Sequence, residues 1–250
     1  MVYQGRDFWV VNKPADISCH PTKTHPYSSL AGRLGLLLGP EAPIHFINRL
    51  DRETSGLVAL GMSVESANQL RKLWSGNRVA KEYMAIVYGE IAPSGIVDAP
   101  LGPYEQSLVY IKDQVRQDGK PARTRYWRVT SWERDGRVYS LIRVRLDTGR
   151  KHQIRIHMDW LGHPVVGDKL YGVDEEVYLR FVRGELSDEE RAALRTPHQA
   201  LHAWRLDLLV GVRQYHFEAP PEAWFLDFLP TEFDFQGDWR RGDKRWDHGA

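Results

Sequence analysis

The chain has 250 residues, of which 42% are hydrophobic and 27% are charged, as is ordinary for a globular protein. No apolar run is long enough to cross a bilayer, and the first residues do not resemble a secretory leader. The single cysteine, Cys19, excludes an internal disulfide. We therefore expect a cytoplasmic protein without membrane association. The net charge of +1 does not by itself indicate a nucleic-acid partner, so any basic surface must be local.

Strands and helices alternate in the first part of the chain. Residues 8–12 are a strand candidate that ends at Lys13-Pro14, because proline lacks the N–H that a sheet needs. The apolar runs 44–47 and 57–60 read as short buried strands. Further predicted elements are helices over 28–38 and from a cap at Ser63 to about 74, and a strand over 81–90.

The second part of the chain is richer in strands. Residues 122–132 and 138–146 flank the turn signal Asp135-Gly136 and predict an antiparallel hairpin. One helix is predicted over 149–161, a second begins after a capping-box spacing at Ser187, and a third covers 221–228. Strands are predicted over 198–210 and 214–218. Consecutive strands favour an α+β fold with a large mixed or antiparallel sheet. We expect one domain over residues 1–230 and a charged tail over 231–250.

A dense polar segment, residues 48–56 with the sequence NRLDRETSG, separates the apolar runs 44–47 and 57–60. Two rigid strands would present this segment as a loop, which is the usual position for chemistry. Asp51 lies at its centre between Arg49 and Arg52, and nearby cations favour an ionised carboxylate that can act as nucleophile or base. The alternative is that Asp51 joins an ordinary surface ion pair.

Residues 49–56 closely resemble the catalytic signature of the RluA-type RNA pseudouridine synthases. This resemblance implies that Asp51 is the catalytic residue and that the fold is a mixed α/β structure around a central sheet, with an active cleft across it. One position departs from the family pattern, because Asn48 stands where the family usually has histidine. The departure affects local hydrogen bonding more than the chemistry.

A second motif, Lys81-Glu82-Tyr83, resembles the family segment whose tyrosine stacks on the target base. Alternation along a strand places Lys81 and Tyr83 on the same face, so both side chains can point into one cleft. The alternative is that Tyr83 is an ordinary strand aromatic.

A third motif, residues 148–157 with the sequence TGRKHQIRIH, resembles the family's last catalytic signature, and the likeness continues through Asp168. It implies that Arg155 pairs with Asp51 and that Arg150, Lys151 and His152 face RNA. Arg49, Arg52 and Lys81 are further candidates for RNA contact. Residues 143–155 also carry Arg143 and Arg145, which predicts a basic face, with an opposite acidic face at 174–176 and 188–190. The alternative for the third motif is a basic amphipathic helix that lies on the sheet.

The resemblance covers about residues 7–220 and implies isomerisation of uridine to pseudouridine in rRNA or tRNA. The reaction breaks the bond between ribose C1′ and uracil N1 and rejoins the base through C5. It involves no net oxidation or hydrolysis, so we expect no cofactor and no metal. The small basic module that many relatives carry at the N-terminus is not expected here. We expect RNA as the partner and a monomeric protein.

Two other classes of function compete with this interpretation. His198 and His202 are four residues apart and could hold Zn²⁺, but Gln199 stands where a metalloprotease needs glutamate. A non-catalytic RNA-binding protein or RNA chaperone could keep the fold without the reaction. The joint presence of Asp51, Tyr83 and Arg155 argues against that second alternative, because binding alone does not require all three.

Overall fold

The computed structural model describes residues 1–21, 26–39, 42–76, 78–235, 237 and 239. The strands are β1 (Tyr3–Gln4), β2 (Phe8–Lys13), β3 (His45–Phe46), β4 (Ser55–Gly61), β5 (Val79–Tyr88), β6 (Ser94–Asp98), β7 (Leu101–Pro103), β8 (Asp113–Val115), β9 (Arg123–Arg134), β10 (Arg137–Leu146), β11 (Leu201–Val210) and β12 (Arg213–Glu218). The helices are α1 (Leu30–Leu38), α2 (Val64–Ser75), α3 (Gln153–Trp160), α4 (Glu175–Arg183), α5 (Asp188–Ala193) and α6 (Ala223–Leu226). Within these described ranges, every helix is too short or too polar to traverse a bilayer.

The chain divides into two compact units. The first comprises Met1–Tyr83, Arg145–Asp147 and Leu201–Glu222, and the second comprises Met84–Val144, Thr148–Ala200 and Ala223–Ala250. Both units combine strands with helices, and both parallel and antiparallel pairings occur. The predicted α+β class is confirmed. Most of the predicted tail over 231–250 lies outside the described residues.

The first unit is a sheet with a helix packed on each face. Strand β4 lies between β2, to which it is antiparallel, and β11, to which it is parallel; β12 pairs with β11. Alternation along the strands sends Phe8 and Leu57 towards α2, and Trp9 and Val58 towards α1. Every residue of β4 is buried, as expected for a strand covered on both faces.

The second unit contains the predicted hairpin of β9 and β10, in which Asp135 and Gly136 both have positive φ (52° and 69°). That conformation suits a two-residue turn between twisted strands, so the turn prediction is confirmed. Helix α3 contributes Ile156 to a small core together with Leu101, Leu170 and Tyr171. The two-stranded sheet of β7 and β8 lies in the same unit.

Several predicted boundaries differ from the structure, and three of them bear on the second half of the chain. The helix predicted over 149–161 begins only at Gln153, because a turn precedes it. The strand predicted over 198–210 begins at Leu201. The closing helix shrinks to Ala223–Leu226, between the prolines Pro221 and Pro230.

Helix α4 was not predicted, although both of its ends carry recognisable signals. The Asp174 carboxylate caps the N-terminus by accepting a hydrogen bond from the backbone N–H of Glu176. Gly184 ends the helix in the left-handed conformation with φ of 76°.

The solvated acidic face predicted for 174–176 is wrong at Glu175. Its carboxylate accepts hydrogen bonds from the Ser107 hydroxyl, the Leu108 N–H and the Lys112 ammonium, each at 2.8 Å. Glu175 therefore anchors the loop between β7 and β8 instead of facing solvent.

Candidate active site

The polar segment predicted to carry the chemistry is a loop between β3 and β4 in the first unit. Asn48 holds its start against β4, because its side-chain amide donates to the Leu57 carbonyl at 3.1 Å and accepts from the Ala59 N–H at 2.8 Å. Its two hydrogen bonds replace a pair of sheet bonds. Asn48 therefore serves this loop structurally, and the departure from histidine leaves no defect in the local hydrogen bonding.

The end of the loop is attached to β11. The Ser55 hydroxyl lies 2.8 Å from Nδ1 of His202, and Nε2 of His202 lies 2.8 Å from the Ala219 carbonyl. The carbonyl can only accept, so Nε2 carries the proton and Nδ1 accepts from Ser55. Burial lowers the pKa of His202 to about 4, so its ring is neutral at pH 7.

Gly56 permits close contact between β4 and β11. Its φ is +115°, and a Cβ built on it would lie 2.4 Å from the Ala203 carbonyl oxygen. A residue with a side chain would face both an unfavourable backbone conformation and a backbone collision. Glycine at this position therefore fixes how the loop leaves the sheet.

Lys13 is a buried cation beneath the loop. Its ammonium donates to the carbonyls of Pro14, Ile17 and Arg52 at 2.9, 2.7 and 3.1 Å, and the residue is fully buried. Burial lowers the pKa of Lys13 to about 8, although nearby acidic groups that include Asp51 favour the charged form. Lys13 thus connects the end of β2 to the loop that carries Asp51.

Asp51 acts electrostatically on Tyr83 within the first unit. Burial raises the pKa of the Tyr83 phenol to about 12, and the charge of Asp51 contributes to that rise. The tyrosine ring packs against a core that includes Leu50, Val58 and Leu60, so its position is rigid. The first and second motifs, distant in sequence, therefore meet in one unit.

The third motif lies in the second unit, where Arg155 forms a fork with Asp168. The guanidinium Nε and Nη2 lie 2.6 and 2.8 Å from the two Asp168 carboxylate oxygens, and both side chains are buried. The Tyr171 ring lies 4.9 Å from the guanidinium carbon. Oδ1 of Asp168 also accepts from the N–H groups of Leu170 and Tyr171. Sequence analysis did not identify Asp168 as a partner of Arg155; the predicted pairing of Arg155 with Asp51 stays a prediction.

Gln153 shapes the turn before α3. Its side-chain oxygen accepts from the Thr148 hydroxyl and from the N–H of Arg150, and its amide nitrogen donates to the Arg123 carbonyl and the Thr124 hydroxyl. These four bonds hold the segment 148–152 in a turn and explain the late start of α3.

The residues predicted to contact RNA have varied surroundings. Arg52 pairs with Asp16 at 2.7 Å, Lys151 pairs with Asp113 at 3.0 Å, and the Arg150 Nε donates to the Pro121 carbonyl at 3.0 Å. His152 has a left-handed backbone (φ 55°), and its Nδ1 lies 3.0 Å from the Tyr171 hydroxyl. Burial lowers the pKa of the Lys81 ammonium, and Arg49 is exposed. Exposed ion pairs are weak, so those at Arg52 and Lys151 can yield to a phosphate.

The basic face predicted over residues 143–155 is wrong for two of its members. Arg143 and Arg155 are only 5% and 6% exposed. Arg143 lies in the buried stretch of β10, and Asp168 binds Arg155. Arg145, Arg150 and Lys151 are exposed.

The rival zinc site at His198 and His202 is incompatible with the observed hydrogen bonds. Both ring nitrogens of His202 are engaged, one as an acceptor from Ser55 and one as a donor to Ala219. A metal would have to displace one of these buried contacts. His202 is a structural residue of the loop.

Sequence reasoning missed three residues that support the candidate site: Lys13, His202 as the partner of Ser55, and Asp168. A lysine that directly ends an apolar strand was a signal for Lys13. Asp168 was already inside the extended third motif. His202 had no local signal, since its partner is 147 residues away.

Comparison with known proteins agrees with the motifs. A sequence profile described as RNA pseudouridylate synthase matches residues 7–160. A ribosomal large subunit pseudouridine synthase D of Nitrosomonas europaea is 33% identical over 213 residues, which are 83% of this chain and 57% of that protein. An uncharacterized RNA pseudouridine synthase of Chloroflexus aurantiacus is 38% identical, over 85% of this chain and 62% of that protein. A synthase D of Yersinia pestis is 33% identical, over 96% of this chain and 74% of that protein.

The chain thus spans less than two thirds of the length of the first two relatives. Among solved structures, human RNA pseudouridylate synthase domain containing 1 matches with a TM-score of 0.71 and 25% identity, over 88% of this chain and 82% of that one. Human RNA pseudouridylate synthase domain containing 4 matches with a TM-score of 0.67 and 23% identity, over 90% of this chain and 89% of that one. This second match supports the fold alone. The resemblance to RluA-type enzymes is confirmed, and the chain belongs to the RNA pseudouridylate synthase family.

Proposed function

We propose that this protein isomerises uridine to pseudouridine in RNA and that Asp51 is its catalytic carboxylate. The feature that carries the proposal is that Asp51 and Tyr83, from two of the family's motifs, lie in the same compact unit, where the charge of Asp51 contributes to the raised pKa of the Tyr83 phenol. A carboxylate beside a rigid phenol ring suits a uridine whose base has left its stack.

The reaction needs an acidic group beside the ribose and a surface for the base. Asp51 either attacks C1′ and is later displaced from it by C5, or removes a proton from the sugar and later returns it; in both routes the bond from C1′ to N1 breaks. The base then turns and bonds to C1′ through C5. The hydrogen on C5 leaves as a proton and N1 gains one, so the atoms balance without an oxidant. Tyr83 holds the base during the turn, and its phenol stays protonated because its pKa is about 12.

Arg155 is the proposed partner of Asp51 in the third motif. The fork to Asp168 uses two of the five guanidinium N–H donors, and it fixes the plane of the group. We assign phosphate contacts to Arg49, Arg52, Lys81, Arg150, Lys151 and His152.

RNA of the large ribosomal subunit is the proposed substrate, because two of the relatives carry that designation. Transfer RNA is the second candidate. We also propose that the protein is monomeric and cytoplasmic, and that residues 1–230 form its catalytic domain.

The alternative is a non-catalytic RNA-binding protein or RNA chaperone, and replacement of Asp51 by Asn distinguishes the two. RNA carrying tritium at C5 of uridine releases the label when pseudouridine forms. We expect release by the wild type and none by Asp51→Asn, with RNA affinity largely kept, since phosphate contacts determine most of it. Equal release by both proteins would remove Asp51 from its role. No release by the wild type from ribosomal RNA and tRNA would favour the non-catalytic alternative.

A further inference from the structure

A cavity of about 570 Å³ lies within the first unit, beside the loop that carries Asp51. One wall is α1, and the opposite wall is the chain from Ala42 to Ile47 together with Arg49. Its volume falls in the range of small-ligand sites, roughly 300–1,000 Å³. We refer to it as the α1 cavity.

The α1 cavity is basic. Arg49 and Arg71 line it, and none of its described lining residues is a carboxylate. Among the described residues, Arg49 has no ion pair, and Arg71 donates only to the neutral Asn68 side chain at 3.2 Å. Burial and the charge of Arg49 together lower the pKa of His20, another lining residue. Two guanidinium groups without a described anionic partner favour an anionic ligand.

The same cavity offers flat surfaces and a polar group for a base. The ring centroids of His20 and Phe46 lie 4.7 Å apart, and the two ring planes are inclined at 55°. Nε2 of His45, a further lining residue, is shielded from solvent and has no hydrogen-bond partner among the described residues. A phosphate between guanidinium groups and a base against aromatic rings is the usual combination for single-stranded RNA.

Two glycines line the α1 cavity, Gly35 within α1 and Gly39 directly after it. A Cβ built on Gly35 or on Gly39 would meet no atom within 4 Å. Gly35 lies inside the helix, where glycine is less favourable than alanine by about 1 kcal/mol. A larger residue at Gly35 can therefore fill the cavity without disturbing the helix.

The position of Arg49 connects the α1 cavity to the reaction. Arg49 lies two residues before Asp51, so their Cα atoms can be no more than about 7 Å apart. Resting on the proposed function, we infer that the α1 cavity binds a nucleotide adjacent to the target uridine. Its base contacts His20 and Phe46, and its phosphate lies between Arg49 and Arg71.

The test compares binding of two fluorescent probes to the full chain. One probe is a single-stranded RNA decamer of random sequence, and the other is an abasic decamer with the same backbone charge. The variant Gly35→Leu fills the α1 cavity. The matched control is Leu36→Phe, which adds bulk at a neighbouring exposed position of α1 that does not line the cavity.

We expect Gly35→Leu to weaken binding of the base-bearing decamer by about 5- to 150-fold, the range for loss of one stacked base. Its affinity for the abasic decamer should equal that of the wild type. Leu36→Phe should bind both probes normally. Arg71→Gln should weaken both probes alike and reduce the salt dependence of binding by about one charge.

The inference is overturned if Gly35→Leu binds the base-bearing decamer as tightly as the wild type, or if it loses affinity for both probes equally. Tritium release by the wild type, measured separately, decides the proposed function. A wild type that releases no label while Gly35→Leu shows the selective loss would defeat the proposed function and keep the nucleotide site. Normal release of label by the wild type, together with unchanged binding by Gly35→Leu, would keep the proposed function and defeat the nucleotide site.

Discussion

Ser55 and His202 are joined by a hydrogen bond of 2.8 Å, although 147 residues separate them in the chain. The bond attaches the end of the Asp51 loop to β11, and His202 in turn donates a hydrogen bond to the Ala219 carbonyl. The candidate catalytic loop is therefore held by the sheet at its end as well as at its start.

Replacement of His202 by Gln should alter the dependence of stability on pH. The folded-state pKa of His202 is about 4, below the ordinary value of 6.5, so the unfolded chain takes up the proton first as the pH falls. The wild type should lose stability progressively between pH 6.5 and 4, by about 3 kcal/mol from this site. Urea unfolding at several pH values in that window measures the effect. The variant should lack this part of the slope; identical slopes in both proteins would contradict the assignment.

Replacement of Asp51 by Asn should lower the pKa of Tyr83. Burial is the larger cause of the rise to about 12 and remains in the variant, whereas the contribution from the Asp51 charge disappears. The phenol should therefore titrate below the wild-type value and above its ordinary 10. NMR titration of ¹³C-labelled tyrosine measures this pKa, with Tyr83→Phe to assign the signal.

The control for that titration is Asp16→Asn, which removes a different carboxylate of the first unit. Asp16 is not among the causes of the Tyr83 shift, so the wild-type pKa should persist. An Asp51→Asn variant with the wild-type value would show that the two side chains do not interact.

Replacement of Asp168 by Asn should destabilise the protein strongly. The carboxylate is fully buried and binds the Arg155 fork, so the variant removes a buried counter-charge from the guanidinium. Loss of one partner of a buried pair costs roughly 3–5 kcal/mol. Chemical denaturation gives the free energy of unfolding. The exposed pair of Arg116 and Asp118 supplies a matched control, because Asp118→Asn should leave the unfolding midpoint unchanged.

Replacement of Lys13 by Met should slow the reaction while RNA affinity is kept. The variant removes the donor for three carbonyls, of which the buried one at Ile17 would cost about 1–3 kcal/mol when orphaned, so the loop should loosen. Because the pKa of Lys13 is about 8, the wild-type rate should decline as the pH rises through that value, and the variant should lack this decline. Tritium release against pH measures both effects. A similar alkaline decline in the variant would assign it to another group; the exposed Lys72→Met serves as the control.

Local pattern was sufficient to predict most elements of this fold. The apolar runs that became β2 and β4, the Asp135-Gly136 turn and the cap at Ser63 depend on neighbouring residues, so the sequence carries their signals directly. The start of α3 was mispredicted because the amide of Gln153, which holds the preceding turn, reaches back to the distant Arg123 and Thr124.

In the candidate site, too, features set by neighbouring residues could be predicted and features set by distant residues could not. The resemblance of the motifs pointed to Asp51 and Tyr83, which both lie in the first unit, and their roles stay predictions. The pairings of Asp168 with Arg155 and of His202 with Ser55 could not be predicted, because periodicity indicates which face a residue occupies and not which distant side chain it contacts. Arg143 was placed on a basic surface for the same reason, since charge along a strand does not reveal burial on both faces.

The connection between Ser55 and β11 also has a consequence for biosynthesis. A ribosome makes the Asp51 loop before β11, and β11, which secures the loop's end, is complete only once residue 210 has been polymerised. Until then the nascent polypeptide holds Asp51 in a loop that is attached to the sheet at its start only. Under the proposed function, premature termination before β11 should therefore yield chains that are inert towards uridine.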